Sequence, residues 1–212
     1  VIDRTAAGMP VPAILARTAE AVYQQLIFRR HAGSEGGMRL EHINVNPRTD
    51  WRRGILLGRV HDTMRGDPIW RMLNHKRQWT MMRKNLCQVC RRSAVIPETG
   101  RISYVVTKTN FVASEVDRLT NAPPTCRDCI SLSLEWCPQL QNSSTAYTVA
   151  RTEPAGVLAD LFRPGVLGPV REAKNVFVGW DEFARHPVAL AKQMVVHLVD
   201  MQAADLPLAV TR

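Results

Sequence analysis

Apolar residues in the first part of the chain recur at Leu15, Ala19, Val22 and Leu26, the i, i+4, i+7, i+11 spacing of a helix face. This predicts an amphipathic helix over residues 13–30. Pro12 suits its first turn, and Arg29, Arg30 and His31 suit the negative end of its dipole. Gly33, Gly36 and Gly37 would stop it. Residues 38–66 show no clear period. Ile55, Leu56 and Leu57 with Val60 read as a short buried strand or one helical turn, between turn signals at Asn46-Pro47 and Gly66-Asp67-Pro68. A second helix is predicted over 68–85, with Ile69, Met72, Leu73, Trp79 and Met82 on its apolar face. Residues 93–96 and 102–107 read as two strands joined by a turn at Pro97-Glu98-Thr99-Gly100. Ile130, Leu134 and Cys137 fit a helix ending at Pro138, although Ile130, Leu132, Leu134 and Trp136 also alternate as in a strand. Beyond them the pattern predicts a strand over 144–151, a short helix over 157–162 and a strand over 175–180. A last helix from Pro187 would carry Leu190, Met194, His197, Leu198 and Met201 on one face.

Composition sets the class. The 212 residues are 45% hydrophobic and 22% charged, close to the globular average, and the length suits one domain or two small ones. No apolar run approaches the ~18 residues of a membrane span. The opening Val1-Ile2-Asp3-Arg4 lacks the pattern of a secretory signal, so a cytoplasmic setting is expected. The pattern divides the chain into an N-terminal helical region (1–64), a basic helix with the cysteine-bearing segment (65–142), and a C-terminal α/β segment (143–212) packed with the middle region.

Charge adds a candidate partner. The chain carries 28 Lys plus Arg against 19 acids, a net of +9. Most of the excess lies in residues 65–92, where Arg65, Arg71, Lys76, Arg77, Arg83, Lys84, Arg91 and Arg92 meet only Asp67. Such clustering is the footprint of a polyanion partner, nucleic acid above all. The plainer alternative is a solvated face in an arginine-rich protein. Trp70 and Trp79 could stack on single-stranded bases or serve as core.

The cysteines carry the strongest chemistry. Cys87 with Cys90 and Cys126 with Cys129 form two C-x-x-C knuckles 35 residues apart, the spacing by which four thiolates surround Zn²⁺. Four thiolates leave no open coordination position, so the site reads as structural. Disulfides lack an oxidising compartment here, and a redox dithiol needs one such pair in a βαβ setting. Cys137 stands outside both pairs and reads as a small apolar residue, with a substitute ligand or reactive thiol as the alternative. Knuckle, hairpin and second knuckle at a helix start is a treble-clef-like order.

Several enzyme chemistries lack their residues. No histidine lies between the knuckles to serve a nuclease on such a scaffold. The deaminase Pro-Cys-x-x-Cys is broken by Thr125, and no H-E-x-x-H or Gly-Lys-Ser/Thr occurs. His61-Asp62 reads as a loop hydrogen bond and His197 as a core histidine.

The runs Lys76-Arg77-Gln78, Met81-Met82-Arg83-Lys84, Leu86-Cys87-Gln88-Val89-Cys90, Pro123-Pro124-Thr125-Cys126-Arg127-Asp128-Cys129 and Cys137-Pro138-Gln139-Leu140 resemble a group of uncharacterised actinobacterial and actinophage cysteine-rich proteins. The resemblance covers residues 76 to about 205 and implies a zinc fold in a bacterial or phage setting, with no activity attached. The chain is therefore expected to be an α+β protein built on a four-cysteine zinc module. The leading expectation is non-catalytic nucleic-acid binding, with Arg71, Lys76, Arg77, Arg83, Lys84, Arg91 and Arg92 on phosphates. The rivals are a zinc-stabilised protein-interaction or assembly module and an enzyme of unfamiliar class.

Overall fold

The computed structural model describes residues 2–32, 37–107, 109, 111–112 and 117–204. The chain begins with short strands: β1 (Asp3–Arg4), β2 (Pro10–Val11), β3 (Leu15–Arg17), β4 (Leu26–Arg30), β5 (Met38–His42), β6 (Trp51–Arg52), β7 (Ile55–Leu57) and β8 (Pro68–Leu73). Helix α1 (His75–Lys84), strands β9 (Ile102–Val106) and β10 (Leu119–Thr120), and helices α2 (Arg127–Trp136) and α3 (Pro138–Asn142) follow. Strands β11 (Thr145–Val149), β12 (Arg151–Arg163), β13 (Val170–Gly179), β14 (Ala189–Val199) and β15 (Gln202–Ala204) complete the described chain. It is 42% strand and 17% helical, so the sheets, not the helices, organise the molecule.

The main sheet runs β13-β12-β14-β7-β6, with β10 paired on β14, and a three-stranded sheet runs β15-β11-β9. Because β14 pairs with β12, β7 and β10, the main sheet joins segments on both sides of residues 64 and 142. No helix among the described residues is long and apolar enough to cross a membrane.

Three expected helices are strands. Residues 13–30 form β3, a 3₁₀ turn over Thr18–Glu20, and β4. Leu26 and Phe28 alternate toward Leu40, Leu56 and Leu190, and β4 finds its ladder on β5 through Phe28↔Leu40. Between the two strands, Gln24 clamps the extended chain. Its side-chain amide donates to the Val22 and Arg59 carbonyls and accepts from the Arg59 amide, which gives the Val22 carbonyl a donor and ties the extended segment to residue 59.

The segment read as a helix over 157–162 lies in β12, flanked by β13 and β14. Val157 and Ala159 are buried in one apolar cluster with Leu161 against them, and Phe162 packs on another. A strand covered on both faces shows a nearly continuous apolar run, which periodicity alone does not separate from a short helix. The expected last helix is β14. Its register steps from Leu158↔Gln193 to Ala159↔Ala191, so Lys192 is an extra residue and the two-residue alternation breaks there. Of the residues expected on one helical face, Leu190 packs with Leu40 and Leu56 while Met194 and Leu198 pack in a separate cluster, so the supposed stripe is divided between two parts of the core.

The predicted 68–85 helix divides at Asn74. Residues before it form β8 against β3, and those after it form α1. The Asn74 side chain accepts from the Arg77 amide at 3.0 Å, the bond of an N-cap residue, and Asn85 closes the helix in the left-handed conformation at φ 51°. Gly66 lets β8 lie close. At φ +86° it tolerates only glycine comfortably, and a Cβ there would sit 2.3 Å from the Thr18 hydroxyl.

Helix α1 then docks on β14 through polar side chains. Gln78 donates to the Met194 carbonyl and accepts from the Met194 amide, both at 2.9 Å. The Gln78 side-chain amide also donates to the Asn121 carbonyl, and the Trp79 indole donates to the Lys192 carbonyl at 3.0 Å. β7 pairs with β14 at Leu190 and Ala191, and β10 pairs at Val196 and His197. Gln78 thus satisfies the β14 backbone in the gap between them.

A candidate metal centre beside a basic helix

The first knuckle follows directly from the end of α1. The Cys87 amide donates to the Arg92 carbonyl, and the Arg91 amide donates back to Cys87. Arg91 takes φ 63°, which turns the chain sharply after Cys90. The Val89 amide donates to the Cys87 sulfur at 3.4 Å. Strand-like pairing of Leu86 with Ser93 and of Val95 with Ile102 then carries the chain into β9, so the expected hairpin forms. The second knuckle opens α2. Cys126 is its N-cap and Cys129 lies in its first turn. Helix α2 ends before Pro138, as the i, i+4, i+7 pattern predicts, because Ile130 and Leu134 pack on Val105.

One residue outside the cysteine pattern joins the knuckles. Gln88 donates its amide to the Pro124 carbonyl and its side chain to the Thr125 hydroxyl, both at 2.9 Å. The Thr125 amide donates to Ser103 of β9.

The geometry brings all four paired cysteines together. The sulfurs of Cys87, Cys90, Cys126 and Cys129 lie within 4.8 Å of one another, and all four residues are buried. Cys90 Sγ and Cys126 Sγ are 3.6 Å apart, within hydrogen-bond reach and without a disulfide. A tetrahedral ion with metal–sulfur bonds near ~2.3 Å requires sulfurs about 3.8 Å apart, so the set fits such an ion. Thiols this close do not ionise independently. Hydrogen bonding from Cys126 lowers the Cys87 thiol to about 5. Burial and the Cys87 charge push Cys129 up to about 12, and the hydrogen bond to Cys87 raises Cys126. Four thiolates at this spacing need a cation among them. Cys137 stands outside the cluster, half-buried at the junction of α2 and α3.

The basic residues divide into three groups. Arg71, Lys76, Arg83, Lys84 and Arg91 are exposed, and none forms an ion pair among the described residues. Arg92 is exposed but engaged. Its guanidinium donates to the Asp128 carboxylate at 3.0 Å, and its hydrogen bond to the Cys90 sulfur raises its pKa. It therefore stands beside the thiolates as a compensating charge.

Arg77 must be removed from the expected phosphate contacts, because it is 1% exposed. It donates to both Glu20 oxygens at 2.6 and 2.8 Å, to Asp62 at 2.7 Å, and to the Leu15 carbonyl. Asn74 adds a bond to Glu20 at 2.9 Å. The network ties α1 to the N-terminal segment. Its only sequence signal is an arginine on the apolar side of α1, beside Met81 and Met82.

His75 adds no charge to α1 at neutral pH, since burial and then Lys192 push it down to about 4. Trp79 packs edge-on against Trp180, with ring centroids 6.4 Å apart, and is core. Trp70 remains exposed.

Fold and site together define a sheet-rich protein with a buried four-cysteine metal-binding centre. No family model, curated protein or solved structure matches the chain.

Proposed function

We propose that the chain is a zinc-stabilised, non-catalytic nucleic-acid-binding protein that works in the cytoplasm of a bacterium or on behalf of a phage. The observation that carries this reading is the set of five exposed, unpaired cations on the β8–α1–knuckle segment: Arg71, Lys76, Arg83, Lys84 and Arg91. Two acids around this segment are already engaged, Asp62 by Arg77 and Asp128 by Arg92. Four thiolates of this spacing select a soft tetrahedral ion, and zinc supplies a redox-inert crosslink there. Knuckle, hairpin and knuckle-opened helix follow one another as in a treble clef. Gln88 and Thr125 hold the two knuckles together, and the Arg77 network holds the other side of α1 to the body of the protein. The exposed cations are thereby presented from a rigid support, where contact with phosphates supplies affinity without base readout.

Titration of the metal-loaded protein with labelled DNA and RNA at several salt concentrations tests the reading. Five phosphate contacts should weaken duplex binding by roughly 10²–10³-fold between ~50 and ~200 mM salt. The K76E/R83E/K84E variant should keep its metal and melting temperature while the salt slope falls by about three. Absence of binding at low salt, or an unchanged slope in the variant, overturns the proposal.

A further inference from the structure

A cleft of about 790 Å³ opens beside the metal centre. Its walls come from the segment before β3, from β8, from Gln88 and Val89 of the first knuckle, from β9, and from the α2–α3 corner. Trp70 and Trp136 both line it, at 46% and 41% exposure, and Arg71 lies among the lining residues. No aspartate or glutamate is among those residues. The cleft is therefore apolar, rich in indole surface, and positive where it carries charge. Through Arg71 and the first knuckle it is continuous in the chain with the exposed cations.

We infer that this cleft receives single-stranded nucleic acid, with bases against Trp70 and Trp136 and backbone phosphate at Arg71. The inference rests on the nucleic-acid reading and adds the kind of strand. A duplex offers phosphate and sugar on its outside and keeps the π-faces of its bases stacked. An apolar cleft with one cation gives that surface little to bind. A single strand brings flat apolar faces joined by anions, which is the chemistry the lining residues match. Each indole contributes by stacking and does so with little regard to base identity. The metal bears on the cleft because two of its walls, the first knuckle and α2, start from cysteine ligands.

The test compares a single-stranded oligonucleotide with the matching duplex, using the full metal-loaded chain and reading affinity with tryptophan fluorescence. Single strand should bind more tightly and quench the fluorescence. Trp70→Leu and Trp136→Leu should each weaken single-strand binding by about tenfold or more, with duplex binding and the salt slope little changed. Both side chains are partly exposed, so melting temperature and metal content should hold. Ultraviolet crosslinking to a thymidine oligomer provides a second readout, with adducts expected on peptides containing Trp70 or Trp136. Equal affinity for the two forms, or wild-type single-strand affinity in both variants, overturns the cleft assignment while leaving the nucleic-acid reading in place. No binding to either form overturns both.

Discussion

Replacing Cys87 and Cys126 together by serine is expected to abolish stoichiometric metal binding and lower the melting temperature by about 8–16 °C. The metal closes the loop between the two knuckles, and the loop-closure entropy for some 36 residues corresponds to about 4 kcal/mol by the chain-entropy relation for a crosslink. For a protein of this size each kcal/mol moves the midpoint by ~2–4 °C. The substitution takes one ligand from each knuckle and leaves serine hydroxyls among sulfurs in a buried site. Metal analysis after dialysis and a thermal melt measure both effects. A strong chelator should reproduce the shift in the wild type and do nothing further to the variant. One metal per chain retained with an unchanged melt would exclude these four cysteines as the ligands.

The second large effect lies in the buried ion network. Arg77→Ala should destabilise the protein by about 3–5 kcal/mol, because it leaves the fully buried Glu20 carboxylate without its countercharge. The combined variant E20Q/R77M should cost less than the two single changes summed, with a coupling of ~1–3 kcal/mol in a double-mutant cycle. Urea unfolding measures all of these. If Arg77→Ala falls within ~0.5 kcal/mol of the wild type, the network is not structural and Arg77 rejoins the candidate phosphate contacts.

The same network sets an acid dependence. Burial works to raise the Glu20 carboxyl, but hydrogen bonds from Arg77, Asn74 and the Met64 and Arg17 amides outweigh it, and the pKa falls from 4.5 to about 2. A carboxyl depressed on folding stabilises the folded state above its unfolded pKa. That contribution, about 3 kcal/mol, is present in full above pH ~5 and is lost progressively as pH falls through 2. Glu20→Gln should remove this part of the acid slope. Comparing the two proteins isolates it, because thiolate protonation and metal release occur in both. Identical slopes would show that Glu20 is not held ionised by folding.

The candidate site and the fold were legible to different degrees. Two C-x-x-C pairs identify the four cysteines of the candidate metal centre without any knowledge of the fold, because the spacing within a knuckle is a local property of a tight turn. The hairpin between them was readable for the same reason, whereas the segment after Cys126 fitted both a helix and a strand, and the packing of Ile130 and Leu134 on Val105 decides for the helix. Asn74 was not read as a helix start, because the apolar positions before it extended the helical pattern back to residue 68. Arg77 was misplaced because its charge says nothing about burial. Its partners Glu20 and Asp62 lie 57 and 15 residues away and meet it only when β3 packs on β8.

The sequence by itself determined the four candidate metal ligands, the knuckle turns and the concentration of cations in residues 65–92. Each depends on neighbours within about ten residues. Only the tertiary structure decided that residues 26–30, 157–162 and 189–199 are strands, since their hydrogen-bond partners are remote and the bulge at Lys192 disguises the alternation of β14. It also decided which cations face solvent, and it placed Trp70 and Trp136 on one cleft from elements more than sixty residues apart. Burial and pairing are set by what the rest of the chain brings into contact, and no local pattern carries that information.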